Sequence, residues 1–280
     1  MAARKVLLVV ADYSDMRQVV FEECFSPRNR QYAAYHGYEY IVSRGDDFRQ
    51  HKTWCKVGII DRMIRQRELV DGDSVVVLDA DMIIVNGTRN FATDKSFCYA
   101  IDNCNTHCLG YFALNINPWS RSMLPCLLDE SLYLRHRHEE RWRAWCEQAA
   151  WYAICGIGDP QGRCFLDVPD YGWHLQLTAD TSLSLAELRQ HVEVRGPEWN
   201  TTLLDDEFDS PGAMSLRPYY TNRSRGQDTI IRHFSGAQSW RYYYACRPLF
   251  PSAQNPGVSA TPDFEPPPFS IVAFKQKWGC

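Results

Sequence analysis

The sequence lacks any apolar run approaching the ~20 residues that cross a bilayer, so no transmembrane helix is predicted. It also lacks an excess of positive charge. Lys and Arg total 30 against 34 Asp and Glu, which excludes the general basic field that non-specific nucleic-acid binding needs. Cysteine is not scarce at 11, yet no Cys-x-x-Cys pair occurs. Cys104, His107 and Cys108 lie close together, but no second ligand pair follows at the spacing of a zinc site. The cysteines read as buried or free thiols, and the chain as a cytoplasmic protein of a reducing compartment. A secretory leader is not predicted either, because the apolar run Val6–Val10 is too short and Asp12 interrupts it at once. Without a leader, the Asn-x-Ser/Thr triplets at Asn86, Asn200 and Asn222 read as chance. Internal repeats are absent.

What is present has the pattern of an α/β domain. Val6–Val10 and Val75–Leu78 are continuous apolar runs ending at Asp12 and Asp79. Runs without alternation belong to strands buried on both faces, as in a parallel sheet covered by helices. Between them, 15–35 has helical spacing with a break expected at Pro27. The stretch 53–69 predicts a helix capped by Thr53 that buries Trp54, Val57, Ile60 and Ile64. Asp71-Gly72-Asp73 is a turn into the second strand. Further on, 111–115 predicts a strand, and 119–134 and 141–154 predict helices. The stretch 160–230 shows no clear period. Residues 1–246 read as one domain, and 247–280, with seven prolines from Pro248 to Pro268, as an extended arm.

The chemistry centres on Asp79 and Asp81. In extended geometry residues two apart point to the same side, so both carboxylates face one point at a strand's carboxyl end. That is where open α/β sheets hold their ligands. Two such carboxylates repel, and a divalent cation removes the conflict. Mg²⁺ and Mn²⁺ take oxygen ligands and are shared with substrate phosphates. A bare Asp-x-Asp is often only a helix cap or a solvated pair; its place after a buried strand favours a metal. Ile230-Ile231-Arg232-His233 reads as a short strand ending in a His, and by position alone His233 fits a hydrogen-bonded core histidine. His136 and His138 lie among Arg135, Arg137 and Arg141 and read as a solvated face.

Several segments, in order, resemble a known family. Asn29-Arg30-Gln31-Tyr32-Ala33-Ala34-Tyr35-His36-Gly37-Tyr38 is similar to an "N-x-x-Y-A-x-x-H-G-Y" segment, and Trp54-Cys55-Lys56 to a "W-x-K" helix. Val77-Leu78-Asp79-Ala80-Asp81 matches a metal motif, and Gly110-Tyr111-Phe112 through Trp119-Ser120 a strand-then-"WS" segment. Glu147-Gln148-Ala149-Ala150 resembles "[DE]-Q-x-A", and His233-Phe234-Ser235-Gly236 matches "H-F-x-G". Together they resemble the retaining GT-A glycosyltransferases that include yeast mannan galactosyltransferases and plant xyloglucan xylosyltransferases.

That resemblance implies a single-domain GT-A fold: Rossmann-like, with a mostly parallel central sheet flanked by helices. It implies transfer of a sugar from a nucleotide sugar, by family habit a UDP-sugar, to a glycan acceptor hydroxyl with retention. Asp79, Asp81 and His233 would bind Mn²⁺ or Mg²⁺. Ala11 and Asp12 would border the base, and Lys56 the diphosphate, with Ala80, Gly236 and Gln238 completing the donor site. Glu147 and Gln148 would face the donor sugar or reacting centre, and Asn115 or Asn117 the acceptor side. One departure is Gln238, where the family carries Lys; it offers neutral donors in place of a point charge. The rival from another class is a haloacid-dehalogenase-like phosphatase with Asp79 as nucleophile. Against it, Ile83 stands where such enzymes carry Thr or Val, and Val6–Val10 precedes a motif they place on the first strand. A third possibility is a transferase-like binding module without catalysis.

Overall fold

The computed structural model describes residues 2–12, 16–44, 52–102, 107–129, 133–135, 146–155, 175–177, 183–202 and 229–234. Both continuous apolar runs form central strands. β1 (Lys5–Val10) lies between β2 (Glu39–Ser43) and β3 (Ser74–Asp79), parallel to both. β5 (Phe97–Ile101) and β6 (His107–Asn115) are antiparallel neighbours, and β6 inserts between β5 and β3. β9 (Val192–Arg195) pairs parallel with β5 and completes the order β2-β1-β3-β6-β5-β9. Five strands therefore run one way and β6 alone runs back, giving a mixed sheet within a single α/β domain. The reversal is local: a connection as short as 102–106 cannot cross over, so β6 must return antiparallel. Its first residues are thereby delivered to the carboxyl end of β3.

Alternate side chains of the strands feed two cores. Val6, Leu8, Val75, Val77, Phe97, Phe112 and Leu114 face one side. There they meet Val57, Ile60 and Met63 of α3 (Cys55–Arg65), Met123, Leu124 and Leu127 of α4 (Pro118–Leu128), and Trp151 and Ile154 of α5 (Cys146–Cys155). Leu7, Val9, Val76, Leu78, Tyr111 and Ala113 face the other. That side is covered by the helical stretch from α1 (Met16–Val20) to α2 (Ser26–His36) and by β4 (Met82–Ile84). Burial on both faces is why these runs do not alternate in polarity.

Several boundaries differ from expectation. Pro27 does not break its helix. A π-helical turn, Phe21–Phe25, joins α1 to α2, and Ser26 N–H donates to Phe21 O in the wider register. The wider register of that turn accommodates Pro27, which has no N–H to donate, inside a continuous helical stretch. Thr53 is not the cap of α3, because it lies in a 3₁₀ turn, Lys52–Trp54, that leads straight into the helix; Ile64 is only partly buried. The helix expected over 119–134 is α4, capped by Asn117 and ended at Leu128, where Asp129 is extended. Leu134 belongs instead to β7 (Tyr133–Arg135), paired with β8 (Leu175–Leu177). Of the helix expected over 141–154, α5 accounts for the part from Cys146. The proposed Pro-rich arm, His136, His138 and Asn222 lie outside the described residues. Among the described residues no helix is long and apolar enough to cross a membrane.

α2 braces the segment after Asp81. Asn29, fully buried, donates from Nδ2 to Met82 O and accepts from Ile84 N, both at 3.1 Å, so its amide replaces a neighbouring strand for β4. Arg28 donates to Ile84 O and Val85 O. Tyr32 Oη accepts from Phe91 N and donates to Arg89 O, and His36 Nε2 lies 2.7 Å from Gly87 O. Asn29→Ala would orphan two buried backbone groups. We expect it to destabilise the fold by on the order of 2–4 kcal/mol, read as a lower urea midpoint with an unchanged denaturant slope.

Candidate metal centre

Asp79, Asp81 and His233 converge. One ligand atom from each lies within 4.8 Å of the others. An octahedral ion with bonds of about 2.1 Å spans opposite ligands ~4.2 Å apart, so small side-chain rotations bring all three onto one centre. Asp79 is the last residue of β3, and Asp81 follows the buried Ala80 across a turn. His233 arrives from far along the chain on β10 (Ile231–His233), which pairs antiparallel with β4 so that His233 stands opposite Met82. Phe234 N–H donates to Asp81 O at 2.9 Å and ties the two segments where both ligands sit. Exposure is graded across the cluster. Asp79 shows 35% of its side-chain surface, Asp81 15% and His233 7%. The carboxylates thus form the mouth and the imidazole the floor.

The floor depends on a glycine. Gly110 follows Cys108 and Leu109 in β6, and a Cβ there would lie 2.5 Å from Met82 Cε, 3.1 Å from Asp79 Oδ2 and 3.2 Å from His233 Cε1. A side chain there would displace the end of Met82 and press Asp79 and His233 outward by a few tenths of an ångström.

Two cations already meet these carboxylates. Lys56 of α3, 4% exposed, donates to Asp79 Oδ1 at 2.7 Å and to Leu109 O at 2.8 Å, and its Nζ lies 3.3 Å from Glu147 Oε1. Three acceptors match the three donors of an ammonium. Burial disfavours the Lys56 charge, but Asp79 and Glu147 outweigh it and hold the pKa above its ordinary value. Burial likewise pushes the Asp79 carboxyl up to about 6, against the pull of Lys56. His233 Nε2 lies 3.4 Å from Asp81 Oδ1. Burial opposes a charge on this imidazole, yet the Asp81 carboxylate keeps its pKa well above the usual value, and the Asp81 pKa is lowered in turn. The His233 Nδ1 atom lies 2.8 Å from Asn200 Oδ1. Asn200 is fully buried.

The other expected site residues divide. Ala11, buried, and Asp12 follow the end of β1, and Val10 pairs with Asp79, so both lie beside the cluster at the carboxyl edge. Glu147, 5% exposed in the first turn of α5, touches Lys56 rather than the mouth, and its Oε2 finds no partner among the described residues. The Oε1 atom of Gln148 accepts from Leu109 N at 3.4 Å. Asn115 and Asn117 are not brought to the cluster. Asn115 pairs with Ser74 at the opposite end of β3 and ties Thr93 O and Lys95 O; Asn117 caps α4. Gly236 and Gln238 lie outside the described residues. Sequence reasoning missed the link of Asn200 to His233. Its one signal, an Asn-Thr-Thr triplet, pointed to a different chemistry.

No protein-family model matches the sequence, and no curated protein matches it. Among solved structures, the chain is similar to a glycosyltransferase involved in glycosylation of the major capsid of PBCV-1, at 10% identity and a TM-score of 0.48, covering 85% of this chain and 98% of that one. It is similar to the glycosyltransferase GlyE of Streptococcus pneumoniae TIGR4 at 11% identity and a TM-score of 0.47; the match covers all of this chain but 64% of GlyE. An active-site mutant of LgtC gives 12% identity and a TM-score of 0.38, covering 88% of this chain and 94% of that one. Identities of 10–12% and TM-scores of 0.38–0.48 leave the site's own geometry to decide its chemistry.

That geometry sets two expectations for the ion. A cation takes His233 in its neutral form, so the ion and the proton compete. The raised His233 pKa means protons are displaced at neutral pH, and below about pH 6 Asp79 adds a second competitor. Mn²⁺ affinity should therefore rise with pH, more steeply below pH 6. Calorimetry in buffers of different ionisation enthalpy should report about one proton released near pH 7.5. Gly110→Ala should weaken Mn²⁺ binding at least tenfold by pushing Asp79 and His233 apart, while apo melting shifts far less; unchanged affinity would show that the backbone gives way.

Proposed function

We propose that this protein is a metal-dependent glycosyltransferase, transferring a sugar from a nucleoside-diphosphate sugar to an acceptor hydroxyl. The observation that carries the reading is the convergence of Asp79, Asp81 and His233 at the carboxyl edge of an α/β sheet, with the carboxylates at the open side. Two carboxylates and an imidazole suit Mn²⁺ better than the all-oxygen preference of Mg²⁺. When bound, the ion supplies Lewis-acid stabilisation of the charge that develops on a departing diphosphate. The ordered motifs from Asn29 to Gly236 support the narrower reading, a retaining enzyme of the mannan galactosyltransferase and xyloglucan xylosyltransferase type that uses a UDP-sugar and a glycan acceptor.

The chain's own residues suggest how the work divides. Lys56 orients Asp79 and balances its charge, so the carboxylate stays ionised and aimed at the mouth. Ala11 and Asp12 border the same edge on the neighbouring strand, a position for the base. Glu147 is tied to Lys56 and buried, which favours a front-face route over attack by a carboxylate nucleophile. In that route the leaving phosphate takes the acceptor's proton, and retention needs no covalent intermediate. The phosphatase alternative leaves His233 without a role, and no observation here favours it.

The test is a screen of nucleotide sugars for Mn²⁺-dependent release of nucleoside diphosphate. We expect turnover with at least one donor, lost with chelator and restored by Mn²⁺. Asp81→Asn should lower that turnover by at least about a hundredfold with the fold retained. Near-normal turnover in Asp81→Asn, or hydrolysis of p-nitrophenyl phosphate with no use of any nucleotide sugar, would overturn the reading.

A further inference from the structure

We infer that Asn200 is a positioning residue for the metal, acting through His233; the inference rests on the metal reading of the cluster above. The Asn200 amide is fully buried, and its Oδ1 lies 2.8 Å from His233 Nδ1. An oxygen there accepts a hydrogen bond, so the proton of a neutral imidazole is held on Nδ1 and the lone pair on Nε2. Nε2 is the atom that faces Asp81. The opposite amide orientation would place a donor against Nδ1, move the ring proton to Nε2, and close the metal face. Asn200 therefore sets the ligating tautomer as well as the ring's orientation, as the outer partner of a ligating histidine commonly does.

Three further observations support the assignment. The Asn200 Nδ2 atom is buried without an acceptor among the described residues, so the side-chain bond that the amide makes among them is the one to His233. The backbone around it is pinned to the strand that carries His233. Thr201 N–H donates to Ile231 O at 3.0 Å, and His233 N–H donates to Thr201 O at 2.9 Å. Asn200 N–H itself donates to Pro197 O. The amide and the imidazole thus ride on one hydrogen-bonded unit, and the distance between them is fixed. The same burial removes Asn200 from consideration as a glycosylation acceptor in the folded protein, although it heads an Asn-x-Thr triplet.

The experiment compares the full chain with Asn200→Ala and Asn200→Asp, titrating Mn²⁺ alone by calorimetry and recording the electron spin-echo modulation of the bound ion. The wild type should show one directly bound imidazole nitrogen. Asn200→Ala should bind Mn²⁺ about 10–100-fold more weakly, with that nitrogen coupling lost or diminished at saturating ion. Asn200→Asp keeps an acceptor oxygen and should keep the nitrogen coupling. A purely structural role would shift the melting temperature but leave the coupling intact. If the alanine variant does not fold, Asn200→Ser replaces it, because serine is too short to reach Nδ1. The proposal is overturned if the wild type shows no nitrogen coupling, if Asn200→Ala retains both affinity and coupling, or if Asn200→Asp loses them equally. Failure of every nucleotide sugar as donor, with these signatures intact, would remove the transferase reading and leave this one standing.

Discussion

Two like charges forced together at the tip of a buried strand are the constraint around which this protein is arranged. Asp79 and Asp81 cannot both stay ionised in such a place unless cations come to them. The fold brings two from separate elements: Lys56 from α3 and His233 from β10. Glu147 adds a third carboxylate behind Lys56. With His233 protonated, the five groups carry one net negative charge. Exchanging that proton for a divalent ion brings the cluster to neutrality. A mouth built of carboxylates, with its permanent cation tucked behind, is suited to take up a divalent ion.

How much of this could be read from the residues depends on the range of the interaction that fixes each feature. β1, β3 and the helices against them were legible, because burial on both faces writes itself into continuous apolar runs and helical spacing. β4 and β10 were not assigned as a pair. Each is three residues long, and they exist because a distant segment supplies the other edge. The end of α4 was misplaced for the same reason: apolar residues continue past Leu128, but they belong to another strand pair. At the site, Asp79 and Asp81 were legible from their spacing together with their place after a buried strand, whereas His233 needed the resemblance, since by position alone it fitted a core histidine. Lys56 was placed near the phosphates by that resemblance; in the structure all three of its donors meet protein acceptors. Asn115 and Asn117 show the converse. Polar residues next to a signature segment invite a functional reading, and here they anchor a loop and cap a helix.

The segment from Asn29 to His36 makes a related point about signatures. Its polar residues touch no part of the cluster, yet they look as selective as catalytic ones. Asn29, Tyr32 and His36 recur on one face of α2 and grip the chain from Met82 to Phe91 by side-chain bonds to backbone. A strand edge as short as β4 has little to hold it in register. The amide of Asn29 acts as a surrogate strand on one side, and β10 pairs on the other. The position of Asp81 therefore depends on residues whose whole contribution is to keep a backbone straight.

This arrangement also bears on why the third ligand sits on such a slight element. His233 is separated from Asp81 by most of the chain, and the ladder that returns it has three residue pairs, reinforced by the bridge from Thr201. Closing so long a loop carries an entropic cost that three pairs alone offset poorly. The buried apolar neighbours Ile230, Ile231 and Phe234 supply part of the remainder. A bridging ion would supply more, because it binds only when both ends are in place. A histidine on a long, independently stable strand would hold the same coordinates with or without metal. On β10 its placement and the binding of an ion would reinforce each other, and local order at the site would become part of the affinity.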